Sequence, residues 1–340
     1  MTLQDLIAGI IVVVLVVYAL LGGADFGGGV WDLAATGPRA RSQRALVANA
    51  IGPVWEANHV WMIVAVVLLF TAYPPAFAAI MTALHIPVTL MLIGIVLRGS
   101  SFVFRKFAPA PDDQASPLQL VFAVSSLLTP VMLGVVIGTI STPEIGWRDG
   151  VATGGFLHPW LRPFPWAVGL LTLALFAWLA ASYLPLETAD EELREDFRFR
   201  SIVGGFAVAV FGGVSLGLMS GAATHVFGGL TGTAWGRTLL AATTLLLAAA
   251  LVASWRRRYA WARVLSALVA GLVIVGWAGA MRPWIVVEGI TLAEAAGPRE
   301  TLELVAWILL GGGIVLLPAY VYLVATFKGR VLFPPPSERA

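Results

Sequence analysis

Four residues of this chain can do chemistry where their surroundings are apolar. Asp25 stands in the glycine-rich run Gly22–Gly29 (GGADFGGG), Glu56 and His59 stand three residues apart in Gly52–Trp61 (GPVWEANHVW), and His85 lies in a third apolar stretch. An ionisable group at the centre of a membrane-spanning helix costs at least about 2.5–3.5 kcal/mol on insertion scales, which makes such groups functional-site candidates by default. Residues 56 and 59 share one helix face, and two short connections suffice to bring Asp25 beside them. Two carboxylates and an imidazole in series form a proton relay, because these groups exchange protons at accessible pKa values. A second reading of the same residues stays open: Asp25 caps a helix end among glycines, and Glu56 and His59 form a satisfied buried pair. The glycines precede no βαβ pattern, so they do not read as a dinucleotide-binding loop. They let the first helix end and its backbone approach a neighbour closely.

Haem ligation is the other chemistry to weigh. The chain has 4 histidines, and His158 and His225 fall in outer loops. That leaves His59 and His85, too few for the paired axial ligands of a self-contained quinone-oxidising cytochrome. With no cysteine there is no thiolate metal ligand, disulfide framework or thiol nucleophile.

The elements that must position these residues are membrane helices. Of 340 residues, 59% are hydrophobic and 12% charged, against about 25% charged in soluble domains. A net charge of +2 is too small for a nucleic-acid footprint. A ruler of about 20 apolar residues finds nine spans, near 3–23, 54–72, 76–98, 117–140, 164–184, 202–222, 237–255, 262–281 and 302–326. None shows the period-two alternation of barrel strands, so the expected fold is an all-α polytopic membrane domain over 1–340. The first stretch lacks a basic leader and a small-residue cleavage site, so it reads as a retained span. Arg39 to Ile51 reads as an amphipathic helix at the interface, and 187–200 as a solvated helix extension. Prolines inside spans (Pro87, Pro130, Pro318) and the glycines at 311–313 predict kinks or close helix contacts.

Orientation follows from the basic residues. With nine spans, sixteen of the 21 Lys and Arg gather on one side, in clusters that begin at Arg39, Arg98, Arg194, Arg256 and Lys328. Basic loops stay cytoplasmic, which puts the N-terminus outside, the C-terminus inside, and Asp25, Glu56 and His59 in the cytoplasmic third.

The run Gly52–Trp61, preceded by Gly22–Gly29 and followed by Phe70–Ala78 (FTAYPPAFA) and Leu97–Arg105 (LRGSSFVFR), resembles subunit II of the cytochrome bd family of terminal quinol oxidases. Trp284–Ala296 (WIVVEGITLAEAA) resembles the family's outer segment more loosely. The resemblance implies two four-helix bundles plus one peripheral helix in a bacterial inner-membrane heterodimer. It implies a homologous subunit I that ligates haem b and haem d, or haem b alone, and binds quinol. This chain then ligates no haem, with room for a bound quinone and for small single-helix accessory subunits in the complex. It matches Asp25 and Glu56 to acidic positions of a cytoplasmic proton pathway and Trp61 to an aromatic position on an oxygen route. Some members carry aspartate where this chain has Glu56 and glutamate where it has His59. Trp55, Asn58, Arg98 and Arg105 belong to the motifs without an assigned role. A proton-coupled transporter and a non-catalytic respiratory scaffold are the rival readings. A transporter would place its acidic groups at the midplane between repeats, whereas these lie towards one face.

Overall fold

The structure is a computed structural model that describes residues 2–52, 55–105, 117–148, 151–153 and 155–332. Val54, Lys106 and Arg339, which figure in the expected spans and charge clusters, lie outside the described residues. The chain runs through α1 (Leu3–Leu33), α2 (Ala40–Ile51), α3 (Trp55–Ala72), α4 (Pro74–Ala83), α5 (His85–Arg105) and α6 (Pro117–Ile140). A short hairpin of β1 (Gly146–Arg148) and β2 (Val151–Thr153) leads to α7 (Pro163–Tyr183), closed by a 3-10 turn at Leu184–Leu186, then α8 (Glu191–Ala222), α9 (Thr224–Gly232), α10 (Ala234–Trp255) and α11 (Tyr259–Met281). A second hairpin, β3 (Trp284–Val286) and β4 (Ile290–Thr291), precedes α12 (Leu292–Ala295) and α13 (Arg299–Leu332). Among the described residues, nine helices are long and apolar enough to cross a membrane.

Local sequence explains the boundaries. Thr2 and Asp5 form a capping box at the start of α1, as Thr291 and Glu294 do for α12. Asp190 caps α8 by accepting from the backbone N–H groups of Glu192 and Leu193. Each such cap satisfies amide donors that the first helical turn leaves without partners. Pro74 and Pro163 occupy first-turn positions, where a missing N–H costs nothing.

Three expectations need correction. The first span does not end at residue 23; α1 continues through every glycine of the run to Leu33. Those glycines serve helix contact rather than helix termination. A Cβ at Gly27 would strike the Phe176 carbonyl on α7, one at Gly23 the Phe176 ring, one at Gly28 Ile51 on α2, and one at Gly29 Ser126 on α6. Small residues of this kind let backbones meet where lipid offers no hydrophobic drive. The third stretch, 76–98, is not one span. It breaks at Leu84 into α4, which starts at Pro74, and α5, which carries Pro87 in its first turn. A Cβ at the glycines at 311–313 of α13 would meet nothing within 4 Å, so among the described residues they make no close helix contact.

The core is layered along the helices. At the hairpin end, α4 packs Ala76, Ala79 and Ile80 against Val286, Val287 and Ile290 of the second hairpin. Backbone bonds from Val287 N–H to Ile140 C=O (3.0 Å) and from Gly297 N–H to Ala72 C=O (2.9 Å) fasten this cap to α6 and α3. At the opposite, basic end, Leu46, Val47 and Ile51 of α2 pack with Phe102, Phe122, Leu184 and Phe197. Between these layers α1 lies against α3, α6, α7 and α11.

Gly27→Val should therefore force α1 and α7 apart and cost roughly 1–3 kcal/mol as an overpacking change. Gly9→Ala, with nothing within 4 Å, should be neutral or slightly stabilising. Thermal unfolding of the two variants in detergent checks the contrast.

Candidate functional site

Asp25, on α1, is only 5% exposed, and three other helices bring polar groups to it or to its partner Asn58. The Asn58 side-chain amide on α3 donates to Asp25 Oδ2 at 2.7 Å, and Tyr320 on α13 donates its hydroxyl to Asn58 Oδ1 at 3.0 Å. From α5, Arg98 donates through Nη2 to the Asp25 backbone carbonyl at 3.0 Å. Arg98 is 1% exposed, with its guanidinium carbon 4.7 Å from the Phe26 ring centroid and 5.4 Å from that of Phe122. A buried carboxylate is tolerable only with an opposite charge and hydrogen bonds around it. The Asp25–Asn58–Arg98 arrangement supplies both, with aromatic faces shielding the cation.

A second buried acid follows on the same helix. Asp32, 1% exposed, pairs with Arg105 at 3.2 Å. Seven residues separate it from Asp25, two helical turns, so both carboxylates fall along one side of α1.

The residues singled out from the sequence separate here. Glu56 is exposed, in the first turn of α3, where the helix N-terminus favours a carboxylate. Asn58, not Glu56, turns towards Asp25. His59 is half-buried, its ring 6.2 Å from Tyr18, 5.5 Å from Phe26 and 6.2 Å from Trp55, and its buried Nδ1 has no hydrogen-bond partner among the described residues. Phe26 touches both this imidazole and the Arg98 guanidinium. Trp55 also packs edge-on against Phe102 at 5.9 Å. Trp61, 9% exposed, meets the Tyr320 ring edge-on at 5.7 Å.

Arg98 had been counted with the loop cations, and the structure buries it inside α5 instead. Tyr320 and Asp32 were not singled out at all. Tyr320 gives no local signal, because a tyrosine near a membrane helix end reads as an interfacial anchor. Asp32 had a signal: it lies seven residues from Asp25, which becomes meaningful once the glycine run is helical.

A cavity of about 120 Å³ opens beside the cluster. Its polar lining comes from Asp25, Asn58, Tyr320, Tyr183, Glu187 and Arg263, and its walls are apolar side chains of α1, α2 and α7.

The histidines do not offer a paired haem site. His85 is the first residue of α5 rather than mid-span; it is exposed, with Nδ1 3.0 Å from the Thr82 carbonyl and its ring against Phe156. Thirteen helical residues, roughly 20 Å at 1.5 Å per residue, separate His59 from the hairpin end of α3. The two imidazoles therefore sit near opposite ends of the bundle. Among the described residues no three His, Asp or Glu side chains gather as a metal site.

Comparison with known proteins gives a consistent picture. A family model described as cytochrome bd terminal oxidase subunit II matches residues 3–327. The chain is 31% identical over 142 residues to the cytochrome bd ubiquinol oxidase subunit 2 of Bacillus subtilis, covering 41% of this chain and 40% of that protein. It is 27% identical over 183 residues to the cytochrome bd-I ubiquinol oxidase subunit 2 of Escherichia coli, covering 53% and 47%. The chain thus spans less than half the length of these curated relatives. Its fold matches a chain in the structure of bd oxidase from Geobacillus thermodenitrificans with a TM-score of 0.72 and 18% identity, covering 96% of this chain and 99% of that one.

The geometry separates Asn58 from Glu56 in a measurable way. Asn58→Leu removes a donor to Asp25 and an acceptor from Tyr320, and should lower stability by about 1–3 kcal/mol per buried group left unsatisfied. Glu56→Gln, at an exposed position, should stay within about 0.5 kcal/mol of the parent. Thermal unfolding in detergent reads both, and equal losses would contradict the arrangement.

Proposed function

The chain belongs to the cytochrome bd terminal oxidase subunit II family, and from that membership we propose that it serves as the haem-free subunit of a quinol:oxygen oxidoreductase in a bacterial inner membrane. It stabilises a homologous haem-bearing subunit I, supplies a cytoplasmic proton path and opens an oxygen route. The orientation is N-terminus outside and C-terminus cytoplasmic, with the first four and next four spans as two bundles and α13 peripheral. Supporting the last point, the apolar part of α13 is 6% buried within this chain, which suits a helix covered by lipid or by subunit I.

The reaction sets the demand. Two quinols give four electrons and release four protons outside, and one oxygen takes up those electrons with four protons from the cytoplasm to form two waters. Charge then crosses the membrane without a pump. Haem b and haem d, or haem b alone, in subunit I would carry the electrons from quinol to oxygen. This chain's part is protons and gas.

The observation that carries the reading is a buried carboxyl at the end of a cavity on the basic side of the bundle. Asp25 takes up a proton at its carboxylate, Asn58 and Tyr320 hold that carboxyl in place, and Arg98 offsets its charge when the proton leaves. His59, in contact with Phe26, and Glu56, on the outer face of α3, continue the path towards subunit I. Oxygen dissolves better in lipid than in water, so a route past Trp61 and its apolar neighbours Val14 and Ala65 suits a substrate arriving through the bilayer.

Asp25→Asn keeps the shape and an acceptor for Asn58 but cannot carry the proton. The purified complex should keep its haem while turnover falls at least about tenfold, or about 1.4 kcal/mol. Wild-type turnover with full proton uptake from the cytoplasmic side would move the path out of this chain. For the oxygen route, Trp61→Ala should change the apparent oxygen affinity at saturating quinol; an unchanged affinity in an intact complex would leave Trp61 a packing residue.

A further inference from the structure

The cavity that ends at Asp25 also has a mouth, which the reading above does not use. Glu187 follows the 3-10 turn at Leu184–Leu186, and Arg263 lies in the second turn of α11. Both are half-buried, and both line the same cavity as Asp25 and Asn58. Tyr183 stands between them in role: its ring takes the Arg263 guanidinium carbon at 4.9 Å from the centroid, which holds the cation to one side as a cation–π pair. Between mouth and floor the walls are apolar, from Leu20, Leu21 and Ala24 on α1 to Val47 and Ile51 on α2. A space of about 120 Å³ holds several waters where one needs roughly 10–15 Å³ of such volume, and its polar groups at both ends give those waters partners.

Such a passage discriminates by chemistry. A proton moves along hydrogen-bonded water, whereas a sodium or potassium ion would have to shed its hydration shell between apolar walls and pass a fixed guanidinium. We propose that this cavity is the water-filled inlet to Asp25, with Glu187 the proton-collecting carboxyl at its mouth and Arg263, stacked on Tyr183, the fixed charge that turns metal cations away. Glu187 gathers protons from solvent and hands them to the internal waters, and Asp25 receives them at the floor. The assignment rests on the proton-path reading, and its test separates the two.

The chain has no cysteine, so a single introduced thiol reports access directly. In the assembled complex in inside-out and right-side-out vesicles, Ala24→Cys, beside Asp25 on the cavity wall, should react with small water-soluble thiosulfonates from the side bearing Arg263 and not from the other. Val13→Cys, exposed on α1 and outside the cavity lining, should stay unreactive to the same reagents. Combining Ala24→Cys with Glu187→Gln should slow labelling by a cationic reagent several-fold against a neutral one, and combining it with Arg263→Gln should speed it. In the complex without introduced thiols, Glu187→Gln should lower turnover while haem content is retained. Absent or two-sided labelling at position 24, or labelling blind to both charge changes, overturns the inlet. Labelling as expected, with unaltered turnover in Asp25→Asn, keeps the hydrated inlet with its charged mouth and removes the proton path as its purpose.

Discussion

A carboxylate cannot sit inside a membrane protein unless something pays its desolvation, and Asp25 organises the molecule around that constraint. Its partners come from α3, α5 and α13, and each had to be delivered to the same depth: Asn58 to the carboxylate, Arg98 to the backbone beside it, Tyr320 to the amide that holds it. Arg98 faces the mirror-image requirement and meets it with the Asp25 carbonyl and two aromatic faces. Neither ion would be stable without the other's helix, so the cluster fixes α1 against α5 in register as well as in distance.

The glycine seam makes that convergence possible. Along Gly22–Gly29 α1 touches three neighbours, α7 at Gly23 and Gly27, α2 at Gly28 and α6 at Gly29. Larger residues would hold these helices apart and open the space around Asp25 to lipid or bulk water. Ordinary glycine in a helix costs up to about 1 kcal/mol relative to alanine; here the loss is offset by close approach to the α7 backbone at Gly27 and to neighbouring side chains at Gly23, Gly28 and Gly29, which a Cβ would block.

The sequence was most legible where periodicity and length decide. The nine spanning helices among the described residues were readable because apolar runs of about 20 residues have one solution in lipid, and the helices at Ala40–Ile51 and from Glu191 were readable from their mixed polar and apolar patterning. It was least legible where side-chain direction decides. Glu56 drew attention for its charge, yet Asn58, two residues on, is the one aimed at Asp25, because residues two apart on a helix face different ways. Arg98 looked like a loop cation because an arginine near a span's end usually is one, and its burial follows from the Asp25 carbonyl and the two aromatic faces that enclose it. The glycines misled through their commonest use: they end helices far more often than they line a helix–helix seam, so α1 was read ten residues short and Asp32 went unnoticed.

Among the described residues Tyr320 belongs to the last spanning helix, α13, while Asp25 belongs to the first, α1. Asn58 and Arg98 follow Asp25 within 73 residues of synthesis, whereas the Tyr320 hydroxyl that holds the Asn58 amide is made 262 residues after that amide. The completed cluster is in that sense a record of finished insertion. A chain stalled before α13 leaves the Asn58 amide oxygen without the Tyr320 hydroxyl, while the contacts of Asp25 with Asn58 and Arg98 are already available.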